Sequence, residues 1–419
     1  MDMIFRFLIV LLVIISVDFY FFQSLKTIAG SWSDSKRILA YRIYWGITLS
    51  GAAFVIFSLL TYKNPVINRT VGLYVFCFYM VILISKIIGS LPLMLEDLVR
   101  GIKLLIGFLN KGTIVKETAG GMSRAKFISY SAMTLAAIPF GTMIYGMVKT
   151  AFDFKVQKSK IPIANLPSSF EGLKIVQISD IHSGSFLSNL HFKNAVNLIM
   201  QEKPDVIFFT GDLVNDRSDE AEPFKEIWRQ LQAPLGVFSI LGNHDYGDYV
   251  IWDTPEEKQA NLERLFEIHK EMGWNLLVNE HRIIEKNGDK IGLIGVENWG
   301  AALRFPRKGD MQKAQAGMED VPVKILLSHD PSHWDAKVLK EHPDVDLTLS
   351  GHTHGFQFGI DIPGFKWSPS QYVYPQWAGL YSQGNQHLYV NRGLGFLGYL
   401  GRIGIRPEIT VLELTAKTV

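Results

Sequence analysis

Two kinds of hydrophobic pattern divide the chain near residue 150. Before this point the apolar residues form long, nearly uninterrupted runs, and after it they form short runs separated by polar segments. Four of the long runs approach or exceed the roughly 20 residues that a helix needs to cross a bilayer. We therefore predict an all-α transmembrane region over residues 1–150, with spans at about 4–22, 43–62, 71–95 and 127–148, and a second domain over residues 151–419.

The alternative for these runs is a soluble bundle of buried helices, which rarely repeats this length with so little charge. Between the third and fourth spans, residues 96–112 place Leu98, Ile102 and Leu105 at helical spacing beside Arg100. This pattern predicts either a helix that lies in the membrane interface or a continuation of the third span.

Two charged residues interrupt the predicted spans, Asp18 in the first and Lys86 in the third. They are candidates for an intramembrane ion pair. Charged side chains in spans also reach towards the interface or face cavities, and we expect one of these placements for each residue rather than a pair.

Lysine and arginine are distributed unevenly among the loops between the spans. The first and third loops contain ten of them, and the second loop contains two. Because loops rich in basic residues stay in the cytoplasm, this asymmetry leaves the amino terminus and the second domain outside. Four lysines just after the fourth span oppose this orientation, although the start of a large domain counts less than a short loop. We predict a multi-pass protein of the plasma or inner membrane with an extracytoplasmic second domain.

The second domain has polar residues at the ends of five predicted strands. These strands are residues 173–179, 206–210, 237–241, 323–328 and 347–350. Strands that end at one edge of a sheet bring the residues after them together, and aspartate, asparagine and histidine are metal ligands. The candidate ligands are Asp180, His182, Asp212, Asn243, His329, His352 and His354.

The chemistry of these ligands points to two ions. Three carboxylate or amide oxygens and four imidazoles suit borderline divalent metals such as Mn, Fe or Zn rather than an oxygen cage for Ca or Mg. Seven ligands are too many for one ion and are about right for two ions that share a bridging ligand. A single short motif of ligand residues after a strand is usually an ordinary loop. Five such motifs, each at the end of a predicted strand, are hard to obtain by chance.

The five motifs are Asp-Ile-His, Gly-Asp, Gly-Asn-His-Asp, Ser-His and Gly-His-Thr-His. Their order resembles the calcineurin-like metallophosphoesterase superfamily, in a membrane-anchored form, and the resemblance covers about residues 152–415. It implies an α/β fold, a four-layer α/β/β/α sandwich. It also implies how the ligands are shared. Asp180, His182 and His354 would hold the first metal. Asn243, His329 and His352 would hold the second. Asp212 would bridge them.

The resemblance assigns two further catalytic residues. His244 would stabilise charge on the leaving oxygen or protonate it. Asp245 would orient His244 through a carboxylate–imidazole hydrogen bond, and the alternative for Asp245 is a simple turn residue. The segment Gly355-Phe-Gln357 departs from many relatives, which have a second glycine there, and this difference would alter the floor of the site without removing a ligand.

The function implied is that of a membrane-anchored phosphohydrolase. It would cleave phosphoester or pyrophosphate bonds by attack of a metal-activated hydroxide. The substrate would be a lipid-linked or cell-envelope compound. Some relatives hydrolyse UDP-2,3-diacylglucosamine in the cytoplasm, whereas an outward-facing domain favours cell-wall polymers or extracellular phosphoesters.

Two other functions fit the sequence less well. A protein Ser/Thr phosphatase of the same superfamily is disfavoured, because Gly211-Asp-Leu-Val-Asn-Asp-Arg217 places the arginine one position late and lacks the following glycine. A membrane receptor or transporter with a non-catalytic, ligand-binding domain would be favoured by a lost metal ligand, and the sequence retains all seven candidates.

The glycine-rich segment 391–402 follows a predicted strand, and the resemblance places it near the mouth of the site. Arg392 is predicted to bind a substrate phosphate as a bidentate donor. Phe396, Leu397, Tyr399 and Leu400 are predicted to touch the bilayer. The alternative is a loop folded over the core.

The distribution of charge along the chain limits which partners it can bind. Residues 1–150 contain 15 basic and 6 acidic residues, and residues 151–419 contain 27 and 34. An acidic second domain argues against binding nucleic acid in a basic groove. The expected partners are a phosphoester substrate and the lipid bilayer, and the sequence indicates no obligatory protein partner.

Overall fold

The computed structural model describes residues 3–61, 69–110, 123–302 and 305–417. The chain forms two compact units, Met1–Tyr145 and Gly146–Val419.

In its described residues the first unit forms four long helices, and each includes a segment that is long and apolar enough to cross a membrane. The helices are α1 (Met3–Ala29), α2 (Asp34–Leu60), α3 (Arg69–Asn110) and α4 (Arg124–Val148). They confirm the prediction of four apolar helices. Residues 62–68 and 111–122, which include the end of the second predicted span and part of the loop charge pattern, lie outside the described residues.

Helix α3 continues well past the end of the third predicted span. Its 42 residues form one helix that includes Pro92. At about 1.5 Å per residue it is about 63 Å long, roughly twice the hydrocarbon thickness of a bilayer. Residues 96–110 therefore continue the third span and do not form a separate interfacial helix.

The two charged residues of the spans pair with each other, contrary to our expectation. The Lys86 ammonium donates to the Asp18 carboxylate, which also accepts a hydrogen bond from Thr48 Oγ1 at 3.0 Å. The Tyr44 hydroxyl lies 3.2 Å from the same carboxylate oxygen. Both charged residues also border a cavity of about 210 Å³, so the expected cavity-facing placement is part of the arrangement. The hydroxyl groups of Thr48 and Tyr44 add hydrogen bonds to the Asp18 carboxylate, which offsets part of the cost of placing charges within a span.

The second unit is built on two six-stranded sheets. In chain order the strands are β1 (Lys155–Ile163), β2 (Lys174–Ile178), β3 (Val206–Phe209), β4 (Val237–Ser239), β5 (Asn275–Leu276), β6 (Glu280–Lys286), β7 (Asp289–Gly295), β8 (Lys324–Leu327), β9 (Leu347–Ser350), β10 (Ile360–Ile362), β11 (Phe365–Trp367), β12 (Gly379–Gln383), β13 (Gln386–Val390) and β14 (Glu408–Ala416). The first sheet has the order β1-β14-β2-β3-β4-β5, and the second has the order β12-β13-β9-β8-β7-β6. Strands β10 and β11 form a separate hairpin.

Several α-helices accompany the sheets in the described part of this unit. They are α5 (Leu190–Gln201), α6 (Lys225–Trp228), α7 (Pro255–Glu271), α8 (Met311–Gln315) and α9 (Leu339–Glu341). Phe192 of α5 packs against Trp228 of α6 with ring centroids 4.8 Å apart, and Met311 and Ala314 of α8 share a buried cluster with the outer face of the second sheet. Alternate residues of both sheets, such as Ile175 and Leu349, form one buried core between them. This arrangement confirms the predicted α/β fold with helices outside two packed sheets.

The sheets also place the candidate ligands. Strands β2, β3 and β4 are parallel neighbours, and so are β8 and β9, so the loops that follow them meet at the carboxyl edges. The Gln177 side chain donates to the Ser350 carbonyl at 2.9 Å, which joins the two sheets beside this edge. All five predicted strands lie within two residues of the observed ones.

Candidate metal centre

The backbone at the strand ends is unusual. Five of the seven candidate ligands have a positive φ of 50–70°, a region that residues with a side chain seldom adopt. They are Asp180, His182, Asp212, His352 and His354. Such conformations cluster at functional sites, where the surrounding structure holds them in place.

The glycines of the motifs allow the ligand loops to touch. A Cβ atom on Gly242 would collide with the Asp212 carboxylate, and one on Gly351 would collide with the Asp180 carboxylate. A Cβ atom on Gly211 would lie 2.5 Å from the backbone nitrogen of Gly242. These three motifs therefore need glycine because a ligand or a neighbouring loop occupies the space that a side chain would take.

A first group of ligand atoms comes from Asp180, His182 and His354, which lie within 4.8 Å of one another. The Nε2 atoms of His182 and His354 are 3.0 Å apart, and His354 Nε2 is 3.3 Å from Asp180 Oδ1. All three residues are buried.

A second group comes from Asp212, His329 and His352, again within 4.8 Å. His329 Nε2 is 3.2 Å from Asp212 Oδ2 and 3.3 Å from His352 Nδ1. Asp212 Oδ2 is also 3.6 Å from His182 Nε2, a ligand atom of the first group. The Asp212 carboxylate therefore lies between the two groups, where a bridging ligand has to be.

Asn243 provides an independent test of whether a metal fits. Its side-chain amide donates to the Tyr249 hydroxyl at 2.9 Å. Its Oδ1 atom is buried, and among the described residues it has no hydrogen-bond partner. Leaving a buried acceptor unpaired is costly, and a cation beside it would satisfy the oxygen. The donor set of oxygens and imidazoles thus fits divalent metal ions.

Hydrogen bonds on the far side of two imidazoles fix which nitrogen faces the centre. His182 Nδ1 lies 3.2 Å from Asn215 Oδ1, and His329 Nδ1 lies 2.7 Å from the Thr210 carbonyl oxygen. Both partners are acceptors, so each ring donates from Nδ1 and turns Nε2 inward, as metal-binding histidines do.

Burial keeps several of the rings neutral, as metal binding requires. It lowers the pKa of His182 to about 3 and that of His352 to about 4. His329 is different. Burial opposes its charge, but the adjacent Asp212 carboxylate raises the pKa of His329 to about 10. An ion that binds Asp212 and His329 would therefore displace a proton.

His244 lies beside these groups and belongs to neither. Its backbone N–H donates to Asp212 Oδ1 at 2.9 Å, and its Nδ1 lies 2.7 Å from the Asn215 carbonyl oxygen. The ring borders a cavity of about 360 Å³ together with Asp212, Asn243 and His352. Nδ1 donates to the carbonyl, so Nε2 is the ring nitrogen that can meet a substrate.

Asp245 does not have the role that we predicted. Its carboxylate accepts backbone N–H groups from Asp212, Leu213 and Gly242, each at 2.8 Å, and from Val214 at 3.3 Å. The carboxylate therefore joins the loops after β3 and β4. The Asn215 carbonyl, rather than Asp245, orients the His244 ring.

Arg392 is also placed differently from the prediction. Its guanidinium pairs with the Glu408 carboxylate and lies 3.4 Å from Asp361, and the residue is only 6% exposed. It is not free to bind a phosphate in this structure. Phe396 and Leu400 are fully buried, so these two side chains fold over the core and do not contact the bilayer. Leu397 and Tyr399 are partly exposed, and their bilayer contact stays a prediction.

Two residues at the centre were not predicted from the sequence. Asn215 contacts both His182 and, through its carbonyl, His244. The Tyr374 hydroxyl lies 2.8 Å from His352 Nε2 and borders the cavity. Asn215 follows the Gly-Asp motif by three positions, which was a usable signal, whereas the sequence near Tyr374 contains no metal-ligand pattern.

Comparisons with known proteins agree with this geometry. Residues 3–151 match a family model described as a probable calcineurin-like phosphoesterase transmembrane domain, and residues 173–356 match the calcineurin-like phosphoesterase model. A transmembrane protein with metallophosphoesterase domain from Danio rerio is 32% identical over 319 residues, which cover 74% of this chain and 69% of the relative.

Two relatives have named activities. A phosphodiesterase from Escherichia coli is 29% identical and aligns with 70% of this chain and 99% of its own length. The UDP-2,3-diacylglucosamine pyrophosphatase of Chlamydia muridarum is 29% identical and aligns with 59% of this chain and 86% of its own length.

The fold and the site define a membrane protein with a metal-dependent phosphoesterase domain, a hydrolase that acts on phosphoester bonds. More particularly, the chain belongs to the calcineurin-like phosphoesterase family, in the group with a transmembrane domain of four helices. The predicted family and enzyme class are thereby confirmed.

Proposed function

We propose that the chain is a phosphohydrolase with two divalent metal ions, Mn, Fe or Zn, that cleaves phosphoester or pyrophosphate bonds in a lipid-linked compound of the cell envelope. Residues 1–150 would anchor it, and residues 151–419 would form the catalytic domain. The observation that carries the proposal is the position of Asp212 between two ligand groups. Asn243 borders the same cavity, and its buried Oδ1 atom has no hydrogen-bond donor in the described part of the chain.

In this proposal the ligand groups keep the partition described above. One ion would be held by Asp180, His182 and His354. The other would be held by Asn243, His329 and His352. Asp212 would contact both. When bound, the two ions would supply the positive charge that activates a water molecule and neutralises the phosphoryl oxygens.

His244 would deliver the proton to the leaving oxygen. The Asn215 carbonyl holds Nδ1–H, so the ring presents Nε2 to the cavity in one orientation. In the protonated ring Nε2–H is a general acid, and after transfer the ring stays in place through the same hydrogen bond. Asp245 would act at a distance, because it positions the backbone that carries Asp212 and Asn243.

The rim of the cavity favours an amphiphilic substrate. The polar floor contains Asp212, Asn243 and His244, whereas Phe356, Val373 and Leu397 form part of the wall. Phe356 stands where many relatives have glycine, and its side chain is 63% exposed. A phosphoryl group at the floor would therefore leave an attached lipid portion beside apolar side chains.

The test combines metal content with hydrolysis by the purified full chain. Asp212→Asn and His352→Ala should lose metal and lower hydrolysis of bis(p-nitrophenyl) phosphate at least about 10³-fold. The control is His281→Ala, because His281 Nδ1 contacts the Ala314 carbonyl away from the centre. Full activity with two ions retained in either ligand variant would overturn the ligand assignment. A panel of lipid-linked and water-soluble mono- and diesters would then test the substrate class.

We also propose that the catalytic domain faces away from the cytoplasm, as the loop charges indicate. The structure offers exposed positions for a labelling test, Ser188 in the second unit and Ser35 in the first turn of α2. In a Cys77→Ala background, Ser188→Cys should react with a membrane-impermeant maleimide before lysis, after the outer membrane, where one exists, has been permeabilised. Ser35→Cys should react only after lysis. The reverse pattern would place the domain in the cytoplasm and make a cytoplasmic lipid precursor the leading substrate.

A further inference from the structure

The hairpin formed by β10 and β11 has its apolar face outward. Ile360 and Ile362 pair with Trp367 and Phe365, so these four side chains share one face. Ile360, Ile362 and Phe365 are 43%, 58% and 53% exposed. In a hairpin of a soluble domain the apolar face normally packs on the core, and this one does not.

The opposite, polar face of the hairpin is the one that contacts the rest of the domain. The Asp361 carboxylate lies 3.9 Å from the Lys155 ammonium and 3.4 Å from the Arg392 guanidinium. The Lys366 ammonium donates to the Ala378 carbonyl at 2.6 Å. These contacts fix the orientation of the hairpin, so the outward direction of the apolar face is built into the fold.

The exposed apolar surface extends from the hairpin to the metal cavity. Among the described residues after Phe152, 13 large apolar side chains are exposed, and eight of them lie between Phe356 and Leu380. Phe356 and Val373 belong to this group and also border the cavity. Surfaces of this kind, beside a binding site, mark contacts with a membrane or another large apolar partner.

The connection to the last span selects the membrane as the partner. The fourth candidate span extends to Phe152, and β1 begins at Lys155, the residue that pairs with Asp361. The hairpin therefore lies beside the point where the chain leaves its last membrane-spanning segment. Its face also carries Trp367, whose indole N–H is 3.5 Å from the Tyr372 hydroxyl, and tryptophan and tyrosine are enriched at membrane interfaces.

We propose that the outward face of this hairpin, Ile360, Ile362, Phe365 and Trp367, inserts into the surface of the lipid bilayer and seats the mouth of the metal cavity against it. The occupant of the apolar face is thus the bilayer itself. The proposal deepens the proposed function, on which it rests for the lipid-linked substrate, because a phosphoester in the membrane would reach the centre without leaving the interface. Insertion itself requires no turnover.

The test measures lipid contact directly. Phe365→Cys in a Cys77→Ala background would carry an environment-sensitive NBD label, with the full chain reconstituted in phosphatidylcholine vesicles that contain doxyl-labelled lipid. Interfacial segments insert about 5–10 Å, within reach of shallow doxyl groups, so we expect at least about twofold quenching. The matched control is Glu285→Cys, in β6 at the sheet edge opposite β12. Its label should not be quenched.

A second variant separates insertion from mere proximity. Ile362→Asp, added to the labelled Phe365→Cys protein, should remove most of the quenching, because a charge at an exposed position leaves the fold intact but opposes insertion. Equal quenching at positions 365 and 285 would overturn the proposal. So would an unquenched label with blue-shifted emission that depends on the protein-to-lipid ratio, which would indicate a second copy on the hairpin.

The two proposals fail in different ways. Quenching that is absent while a water-soluble diester is hydrolysed would overturn membrane insertion and leave the metal-centre function standing. Quenching that is present in a protein without bound metal and without hydrolysis of any phosphoester would overturn the function and leave insertion standing.

Discussion

Replacing Asp245 by asparagine distinguishes its observed contacts from the role implied by sequence. The carboxylate Oδ2 accepts the N–H groups of Asp212 and Gly242, and Oδ1 accepts those of Leu213 and Val214. An asparagine keeps one oxygen and turns an NH2 group towards the other two donors. Two buried N–H groups then lose their partner at about 1–3 kcal/mol each, so we expect Asp245→Asn to destabilise the domain by about 2–6 kcal/mol.

This loss is large compared with the total stability of a domain, about 5–15 kcal/mol. It should also loosen the loops that hold Asp212 and Asn243 and lower metal affinity about 10–100-fold, as for other outer contacts of metal sites. Seven of the nine tryptophans lie after residue 151, so thermal unfolding followed by tryptophan fluorescence reports mainly on this domain. Metal content is measured on the same samples, with Asp253→Asn, at an exposed position, as the control.

The role implied by the sequence, in which Asp245 only orients His244, gives a different expectation. If Asp245 only oriented His244, Asp245→Asn would keep normal metal content and normal stability. Its activity loss would then be larger for substrates with poor leaving groups. That combination would refute the structural role argued here.

Three other predictions concern other parts of the molecule. His244→Asn should keep both metals and lower turnover by about 10²–10⁴, less for a nitrophenol leaving group than for an alkyl one, and an equal loss for both would contradict the proton-donor role. Burial raises the pKa of Glu220 to about 7, so the folded state binds the extra proton and stability should fall as pH rises from about 4.5 to 7. In Glu220→Gln the free energy of unfolding in urea should change by up to about 3 kcal/mol less over this pH range. An unchanged pH dependence would refute the raised pKa of Glu220. Lys86→Met should lower the thermal stability of the purified protein more than the Asp18→Asn, Lys86→Met double variant does, because one partner alone leaves a buried charge, and additive losses would argue against the pair.

The grouping of the candidate ligands was predictable because they follow buried strands directly. A strand such as β3, with four buried residues in succession, is recognisable from sequence, and the next polar residue is necessarily at the sheet edge. The left-handed backbone at Asp180 or His352 was not predictable in the same way. It depends on how the glycines of neighbouring loops allow close approach, which is a property of the assembled edge.

The roles of Asp245 and Arg392 could not be obtained from sequence for a related reason. Asp245 meets its donors only after the loop following β4 has packed on the loop following β3. Glu408 lies 16 residues after Arg392 in the sequence. The two become neighbours only when β14 enters the first sheet between β1 and β2. A motif identifies chemical groups, and the partners that those groups find are decided by tertiary contacts.

The hairpin of β10 and β11 shows where the usual assignment of inside and outside fails. The alternation Ile-Asp-Ile and Phe-Lys-Trp predicts an amphipathic pair of strands, and the ordinary expectation is that the apolar face turns inward. That expectation assumes that water is the only surrounding phase. Here the buried Arg392 and the partly exposed Lys155 attract Asp361, so the polar face is the one that contacts the rest of the domain. The apolar face is then left outward, on a hairpin that contacts Lys155 just after the end of the fourth span. If the bilayer covers this face, apolar side chains are removed from water as in a core, but on the outer side of the domain.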